Sequence, residues 1–322
     1  MPRFDLSLPE LREYRPALSE PSDFDEFWNA TLAGARSFDY PVAAELVDAA
    51  LTEMEVFDIT FPGFAGDPIK AWLVLPTHRS EQIPVVVEFN GYGGGRGLPH
   101  EKLAWVGAGY AYFVMDTRGQ GSVWGAGGST PDPHGSGPAA PGFLTRGIDS
   151  PQDFYYRRVY ADAARAIDAV RTFDRIDPAR VVVCGASQGG GIALAAAGLV
   201  PDVVAVMPDV PFLSNFTRAI GFTDRDPYNE VVKYLAVHRG QEENVYRTLS
   251  YFDGMSFAAR ATCPALYSVG LMDPVCPPST VFASFNRHAG EAEIEIYPYN
   301  QHEGGAGAQW PRQAQWLADQ LG

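Results

Sequence analysis

Residues 181–195 read VVVCGASQGGGIALA, and this stretch decides the fold. An apolar, β-branched run typical of a buried strand passes through a glycine-rich turn into an alanine-rich run typical of a buried helix. The turn fits the pattern G-x-S-x-G, in which a tight bend exposes the central serine at the edge of a sheet. A side chain at Gly185 or Gly189 would clash with the neighbouring backbone, and Ser187 is the predicted nucleophile. The alternative is an incidental serine in a glycine-rich turn, but the flanking strand and helix favour the nucleophile.

Short apolar runs of the same kind recur along the chain, with helix-like segments between them. The predicted strands are Val85–Phe89, Ala111–Met115, Val181–Cys184, Val203–Met207, Ala265–Val269 and Ile294–Tyr297. The predicted helices are Pro99–Ala108, Tyr155–Thr172, Gly190–Leu199, Pro278–His288 and Gln309–Leu321. This alternation predicts an α/β fold with a doubly wound, mostly parallel sheet, which places chemistry at the C-terminal ends of its strands.

The N-terminal part of the chain differs from this alternation. Asp23–Ala35 has apolar side chains at helical spacing, with Ser22 as the expected N-cap, and predicts a helix packed outside the sheet. Glu53–Phe61 and Ile69–Leu75 alternate apolar and polar residues and predict an antiparallel hairpin.

A single domain is expected over residues 1–322, with three additions to the sheet. The first is an N-terminal extension that includes the hairpin, at 1–80. The second is a Gly- and Pro-rich stretch at 121–151, which is interpreted as an inserted surface loop because the alternation resumes after it. The third, at 210–257, has helix-like patches that predict a cap over the sheet.

Composition and charge exclude several classes of protein. The chain has 24 Lys and Arg against 39 Asp and Glu, a formal net charge of −15, which argues against nucleic-acid partners and anionic membrane surfaces. Prolines and aspartates interrupt the most apolar region, Gly191–Leu213, so no membrane span is predicted. The N-terminal sequence MPRFDLSLPELREYRP lacks the apolar run of a signal peptide, and a cytoplasmic protein is expected. Cys184, Cys263 and Cys276 are too few and too irregularly spaced for a disulfide framework or a CxxC metal site.

A serine hydroxyl needs a base, and three histidines follow Ser187 in the chain. His288 ends a helix-like run, where it is expected to cap carbonyl groups, and His238 lies in the predicted cap. His302 lies in the loop NQHEGG after a strand, where it can reach the nucleophile. His302 is the predicted base.

The acid is expected at the end of a strand between the nucleophile and the base. Asp273 follows ALYSVG, and its strand is adjacent in sequence to the one that delivers His302. Asp209, in MPDVPF, is the competitor, and is predicted to be a loop-end carboxylate that accepts from backbone donors. Asp273 is therefore the predicted acid, which would orient the imidazole and stabilise its charged form.

Backbone N–H groups are expected to stabilise the oxyanion. One comes from Gln188, at the start of the helix after the nucleophile, and the other from Tyr92 in the glycine-rich loop Asn90–Gly97. That loop lacks the phosphate-binding patterns, and His302–Glu303 lacks the spacing of a metal site, so neither a cofactor nor a metal is predicted. Glu303 is predicted to be a local hydrogen-bonding partner.

The chain resembles the acetyl xylan esterase/cephalosporin C deacetylase family, carbohydrate esterase family 7 of the α/β-hydrolases. The resemblance covers nearly the whole chain. The segments that carry it are GYGGGRG at Gly91–Gly97, DTRGQG at Asp116–Gly121, GASQGGGIALA at Gly185–Ala195, LMDPVCPPST at Leu271–Thr280 and YPYNQHEGG at Tyr297–Gly305.

The resemblance implies the same triad and the same two oxyanion amides as the residues themselves. It also implies that Arg118 and Gln120, in the RGQ motif, are structural, with a buried guanidinium tying neighbouring loops together by bidentate hydrogen bonds. Asn90 stands where many members have His, and a change at the substrate mouth is its expected consequence.

The resemblance further implies activity on small acetyl esters, namely acetylated xylo-oligosaccharides and the acetyl group of cephalosporin C. It implies a ring-like homohexamer whose sites face an internal cavity, with residues 121–151 at the subunit contacts. The triad alone leaves open a broader short-chain carboxylesterase or a peptidase. A non-catalytic binding protein on the same fold is disfavoured because all three triad positions are filled.

Overall fold

A mixed sheet forms the centre of the computed structural model, which describes residues 4–79, 81–135 and 137–322. The strands of the described residues are β1 Ala43–Val47, β2 Met54–Pro62, β3 Pro68–Pro76, β4 Ile83–Phe89, β5 Ala111–Met115, β6 Ile176–Ala186, β7 Ala205–Asp209, β8 Ala265–Gly270 and β9 Ala292–Tyr297. Their order in the sheet is β1-β2-β3-β5-β4-β6-β7-β8-β9. The pairs from β1 to β5 along that order are antiparallel, and the pairs from β5 to β9 are parallel. The predicted mostly parallel sheet is therefore confirmed.

Helices follow most of the strands. Those of the described residues are α1 Leu8–Glu13, α2 Phe24–Arg36, α3 Ala104–Gly107, α4 Tyr155–Val170, α5 Gln188–Leu199, α6 Phe216–Phe222, α7 Tyr228–Val237, α8 Glu242–Ser250, α9 Gly254–Ala258, α10 Pro278–Phe285 and α11 Gln309–Leu321. None of them is long and apolar enough to cross a bilayer.

The central strands are buried on both faces, which explains their continuous apolar runs. In β4, Val85 and Val87 belong to the apolar cluster that contains Ile192 of α5, whereas Val86 belongs to a second cluster with Trp316 and Leu317 of α11. Because side chains alternate along a strand, the two clusters lie on opposite faces of the sheet.

The N-terminal helix and the hairpin are both present. β2 pairs with β3, with Phe61 opposite Ile69, as the alternation predicts. The Trp28 ring of α2 packs 5.7 Å from that of Tyr160 in α4, outside the sheet. The prediction of Ser22 as the N-cap is wrong by one residue.

The N-cap of α2 is Asp23, whose side chain does not cap the helix. Its carboxylate instead accepts a hydrogen bond of 2.7 Å from the Tyr251 hydroxyl. A tertiary contact has therefore replaced the local one.

One further local prediction differs from the structure, and one strand was not predicted. The predicted helix Pro99–Ala108 is wrong, because residues 99–101 form a 3-10 turn and only Ala104–Gly107 is helical, before Gly109 turns the chain with a φ of 96°. Strand β1 was not predicted, since this edge strand is mostly exposed and lacks an apolar alternation.

The two inserted stretches differ in structure. Residues 121–135 and 137–151 contain no helix or strand, and residue 136 lies outside the described residues. Residues 210–257 contain the helices α6, α7 and α8 and all but the last residue of α9. Residues 1–3 and 80 of the predicted extension also lie outside the described residues.

Candidate active site

Ser187 lies between the last residue of β6 and the first residue of α5. Its φ of 56° and ψ of −118° are strained for a residue with a side chain. Backbone hydrogen bonds hold this conformation, because the Ser187 N–H donates to Asp209 O at 2.9 Å and the Ser187 carbonyl accepts from Phe212 N at 3.0 Å. The nucleophile is thus fixed by its backbone at the C-terminal edge of the sheet.

The glycines on either side of Ser187 allow neighbouring backbones to approach closely. A Cβ atom on Gly189 would collide with the carbonyl oxygen of Phe89 in β4, and one on Gly185 would lie 2.5 Å from the carbonyl carbon of Gly189. The structure therefore requires glycine at both positions.

His302 connects Ser187 to Asp273. Its Nε2 lies 2.8 Å from Ser187 Oγ, and its Nδ1 lies 2.8 Å from Asp273 Oδ2. Asp273 is fully buried, and its other oxygen accepts from the backbone N–H groups of Val275 and Cys276 at 2.8 and 3.0 Å. The carboxylate is thereby held towards His302, while the imidazole is 29% exposed and open to a substrate.

The three side chains meet because β6, β8 and β9 run parallel, so their C-terminal ends lie on one edge of the sheet. Asp273 follows β8 and His302 follows β9, its neighbour. This arrangement can transfer a proton from a serine hydroxyl to a histidine whose charge a buried carboxylate stabilises.

The two predicted oxyanion donors lie in segments on either side of this turn. The N–H of Gln188 is the first of α5 and has no acceptor within the helix. Tyr92 follows β4, which pairs with β6, and a Cβ atom on Gly91 would lie 3.7 Å from Ala186 O. The loop that carries Tyr92 therefore runs beside the serine turn.

Comparison with known proteins identifies the family. The family model described as acetyl xylan esterase (AXE1) matches residues 1–320. The chain belongs to the acetyl xylan esterase family. This is a family of carboxylic ester hydrolases, and the family and the α/β-hydrolase fold expected from the sequence are confirmed.

Relatives of the chain carry related names. Acetyl esterase Axe7A of Xylanibacter ruminicola is 30% identical over 311 residues, which are 91% of this chain, and the chain spans 66% of that relative's length. The acetyl xylan esterase structure from Paenibacillus sp. R4 has a TM-score of 0.92 at 38% identity, over 98% of this chain and 99% of the other. Acetyl xylan esterase 1 from Thermoanaerobacterium sp. JW/SL YS485 has a TM-score of 0.92 at 34% identity, over 99% of this chain and all of the other (100%).

Gln120, in the RGQ motif of this family member, links the two oxyanion segments. Its Oε1 accepts from the Gly93 N–H at 2.6 Å, and its Nε2 donates to Gln188 Oε1 at 2.8 Å. The Gln188 Nε2 donates in turn to Asn90 O at 3.1 Å. The side chain of Gln120 thus ties the loop after β4 to the start of α5.

Arg118, in the same motif, is fully buried away from the triad. Its Nε and Nη2 donate to the two oxygens of Asp162 at 2.6 and 2.8 Å, and its Nη1 donates to Asp67 at 2.8 Å and to Asp132 at 3.3 Å. The guanidinium therefore joins α4, the hairpin turn and the 121–151 stretch, as the family resemblance implies.

Asn90, the residue after β4, has a side chain that contacts the neighbouring strand β5. It is buried, and its Nδ2 donates to Met115 O at 2.6 Å, at the end of β5. The expected change at the substrate mouth stays a prediction.

The competing residues have other partners. His288 Nε2 lies 2.8 Å from Cys263 O, so it does meet a carbonyl group, but one outside its own helix. Burial lowers the pKa of His288. His238 stacks on Tyr234, with 4.1 Å between ring centroids. The sequence predicts neither histidine as the base.

Asp209 is held by side chains rather than by the predicted backbone donors, so that prediction is wrong. Its two carboxylate oxygens accept from Gln309 Nε2 at 3.0 Å and from Gln313 Nε2 at 2.8 Å. Burial raises the pKa of Asp209 to about 7, despite these hydrogen bonds. The donors come from α11, 100 and 104 residues along the chain, and no local pattern could indicate them.

Among the described residues, one cluster of three side chains could in principle ligate a single metal ion. Asp273, Cys276 and His302 place their ligand atoms within 4.8 Å of one another. Asp273 and His302 are already hydrogen-bonded to each other, and burial raises the pKa of the Cys276 thiol, which keeps it protonated and a poor ligand.

Glu303 makes only local hydrogen bonds among those that the structure describes. Its carboxylate accepts from Asn300 Nδ2 at 2.8 Å and from Gln301 N at 3.1 Å.

Sequence reasoning missed Glu230, a buried carboxylate of α7 that bonds to the Tyr92 hydroxyl. One signal was present in the sequence. Glu230 lies four residues before Tyr234, on the buried face of the helix, where a charged residue requires partners.

Proposed function

We propose that this member of the acetyl xylan esterase family is a serine esterase that removes acetyl groups from small acetylated substrates. The observation that carries the proposal is the continuous hydrogen-bonded series Asp273–His302–Ser187 on a strained strand-to-helix turn. No metal or organic cofactor takes part in the proposed reaction.

In the acylation step, Ser187 Oγ attacks the acetyl carbonyl carbon while His302 Nε2 takes the hydroxyl proton. The buried carboxylate of Asp273 orients the imidazole and stabilises its positive charge. The N–H groups of Tyr92 and Gln188 stabilise the oxyanion of the tetrahedral intermediate. His302 then donates the proton to the departing alcohol oxygen, which leaves an acetyl-serine.

In the deacylation step, a water molecule replaces the alcohol. His302 takes a proton from this water as its oxygen attacks the acetyl-serine carbonyl, and the same two N–H groups stabilise the second oxyanion. Collapse of the intermediate releases acetate and returns the proton to Ser187 Oγ. Atoms balance as one ester and one water giving one alcohol and one acetic acid.

The substrate class is proposed from the family and from the names of the relatives. Acetylated xylo-oligosaccharides are the first candidates, and the acetyl group of cephalosporin C is the second, on the resemblance stated above. A homohexamer with residues 121–151 at its contacts is proposed from the same resemblance, and a cytoplasmic location is proposed from the sequence features given above.

The hydrolysis rate against acyl length, from p-nitrophenyl acetate to octanoate, tests this proposal. We expect a steep fall beyond acetate or propionate. Ser187→Ala is expected to lower kcat by about three or more orders of magnitude, because it removes the nucleophile. The surface variant Ser37→Ala is the matched control, and circular dichroism checks the fold of both.

Each contrary result has its own meaning. Near-wild-type turnover in folded Ser187→Ala would refute the nucleophile. A flat acyl profile would favour a broader carboxylesterase, and cleavage of a peptide anilide would favour a peptidase. Failure of a fluorophosphonate to add to Ser187, judged by intact mass, would favour a non-catalytic binding protein.

A further inference from the structure

The side chain of Tyr92 is held by a carboxylate from a distant helix. The Tyr92 hydroxyl donates to Glu230 Oε1 at 2.6 Å, and the Leu144 N–H donates to Glu230 Oε2 at 2.9 Å. The Tyr92 oxygen also accepts from the Phe143 N–H. Glu230 is 3% exposed, so these bonds are shielded from water.

Three separate segments meet at this carboxylate. They are the loop after β4, the 121–151 stretch and helix α7 of the 210–257 insertion. Gly142, whose φ is 124°, lies against the carboxylate, and a Cβ atom there would collide with Glu230 Oε1. The backbone of the 121–151 stretch is therefore shaped to admit Glu230.

The Tyr92 ring also packs against two phenylalanine rings, one of which contacts the serine turn. Its centroid lies 6.1 Å from that of Phe212 and 5.4 Å from that of Phe143, both in edge-to-face geometry. Phe212 donates its N–H to the carbonyl of Ser187 at 3.0 Å. A shift of the Tyr92 side chain would therefore displace Phe212, which is hydrogen-bonded to the serine turn.

The donors around Glu230 require a carboxylate rather than an amide. Both of its oxygens accept, one from a hydroxyl and one from a backbone N–H. A glutamine could accept at one oxygen only, and its NH2 group would face the other donor. Burial raises the pKa of the Tyr92 hydroxyl, so the hydroxyl keeps its proton and donates it. Burial also raises the pKa of Glu230 to about 7, so the ionised carboxylate predominates above that pH.

We propose that Glu230 is a positioning residue, which holds the Tyr92 backbone N–H in the oxyanion hole by fixing the Tyr92 side chain. The inference rests on the proposed function, since it assigns a purpose to a contact of that same site. The oxyanion forms only along the reaction path, so a misplaced N–H lowers kcat more than it changes KM.

The test is a double-mutant cycle on p-nitrophenyl acetate hydrolysis. Glu230→Gln and Tyr92→Phe are each expected to lower kcat by about ten- to a hundredfold, as small displacements of catalytic groups do, with KM changed much less. The double variant is expected to be no slower than Tyr92→Phe alone, because the amide no longer faces the hydroxyl donor.

Glu242→Gln is the matched control, since it makes the same charge change at an exposed position of α8. Its kcat is expected to equal that of the wild type. Should Glu230→Gln fail to fold, Tyr92→Phe alone keeps the ring packing and tests the same bond through the fall in kcat.

The outcomes separate the inference from the proposed function. If the wild type hydrolyses the acetate ester but the single variants match it, or if their effects on kcat simply multiply, Glu230 has no positioning role. If the wild type releases no acetate, the proposed function fails and the inference fails with it.

Discussion

At the scale of single residues, the site depends on positions where a side chain would be too large. Ser187 adopts a φ of 56° because the turn must present its hydroxyl above the sheet edge. Gly189 allows this turn to pack directly on the carbonyl oxygen of Phe89. The strained conformation of Ser187 is thus possible because Gly189, two residues later, has no side chain.

Gly189→Ala is expected to destabilise the protein by about 1–3 kcal/mol, because its methyl group must displace the backbone of β4. Fluorophosphonate labelling of Ser187 should slow as the turn shifts. Urea unfolding and the labelling rate measure the two effects. Gly34→Ala in α2 is the control, since its Cβ atom would meet nothing within 4 Å and should stabilise the helix slightly. Equal stability of both variants would contradict the proposed close packing.

At the scale of elements, side chains from later parts of the chain hold the strand ends in place. Asp209, the last residue of β7, binds Gln309 and Gln313 of α11 through its carboxylate, and accepts the Ser187 N–H through its carbonyl. One residue therefore joins the C-terminal helix to the serine turn, although it belongs to neither.

The raised pKa of Asp209 predicts a dependence of stability on pH. A carboxyl group with a pKa of about 7 in the folded protein and an ordinary value near 3.8 when unfolded contributes stability that is present at low pH. This contribution is lost as the pH rises through about 7, because the buried group must ionise.

The free energy of unfolding of the wild type should therefore fall relative to that of Asp209→Asn from pH 5 to about 7, by up to about 1.4 kcal/mol per pH unit, and should level off by pH 8. Urea unfolding at each pH measures this difference, in which the contribution of Glu230 cancels. Asp202→Asn, on the surface, is the control. A constant difference across this range would show that Asp209 has an ordinary pKa in the folded protein.

At the scale of the whole molecule, the 121–151 stretch leaves apolar side chains on the surface. Val123 is 72% exposed and Trp124 52% exposed, although the Trp124 indole donates to Tyr92 O at 2.7 Å. Exposed apolar residues grouped beside a site mark surfaces that contact other molecules. They are consistent with the proposed subunit contacts of this stretch.

Light scattering is expected to give the mass of six chains of 35.0 kDa each. Val123→Asp should reduce this mass, because it places a charge in the proposed contact. Val237→Asp, at an equally exposed position of α7, is the control and should leave it unchanged. A monomer in the wild type would refute the hexamer, and an unchanged mass in Val123→Asp would place the contacts elsewhere.

The sequence alone indicated the central strands and most of the helices between them, the serine turn, and the histidine and acid that the structure places beside it. These features could be recognised in the sequence because each depends on local information. Burial on both faces requires a continuous apolar run, a strained turn requires glycine, and parallel strands bring the loops after them to one edge. The family resemblance rested on segments of the same local kind.

Only the tertiary structure decided the partners of those residues. Glu230 and Tyr92 are 138 positions apart, and Asp209 and Gln313 are 104 apart. The Asp23 carboxylate accepts a hydrogen bond from Tyr251 instead of capping its own helix. Such contacts depend on the path of the whole chain, because a buried polar group takes whichever donor or acceptor the fold brings within reach. Neighbouring residues in the sequence do not indicate which partner a buried polar group will have. The packing of distant segments therefore decides how the site residues are positioned.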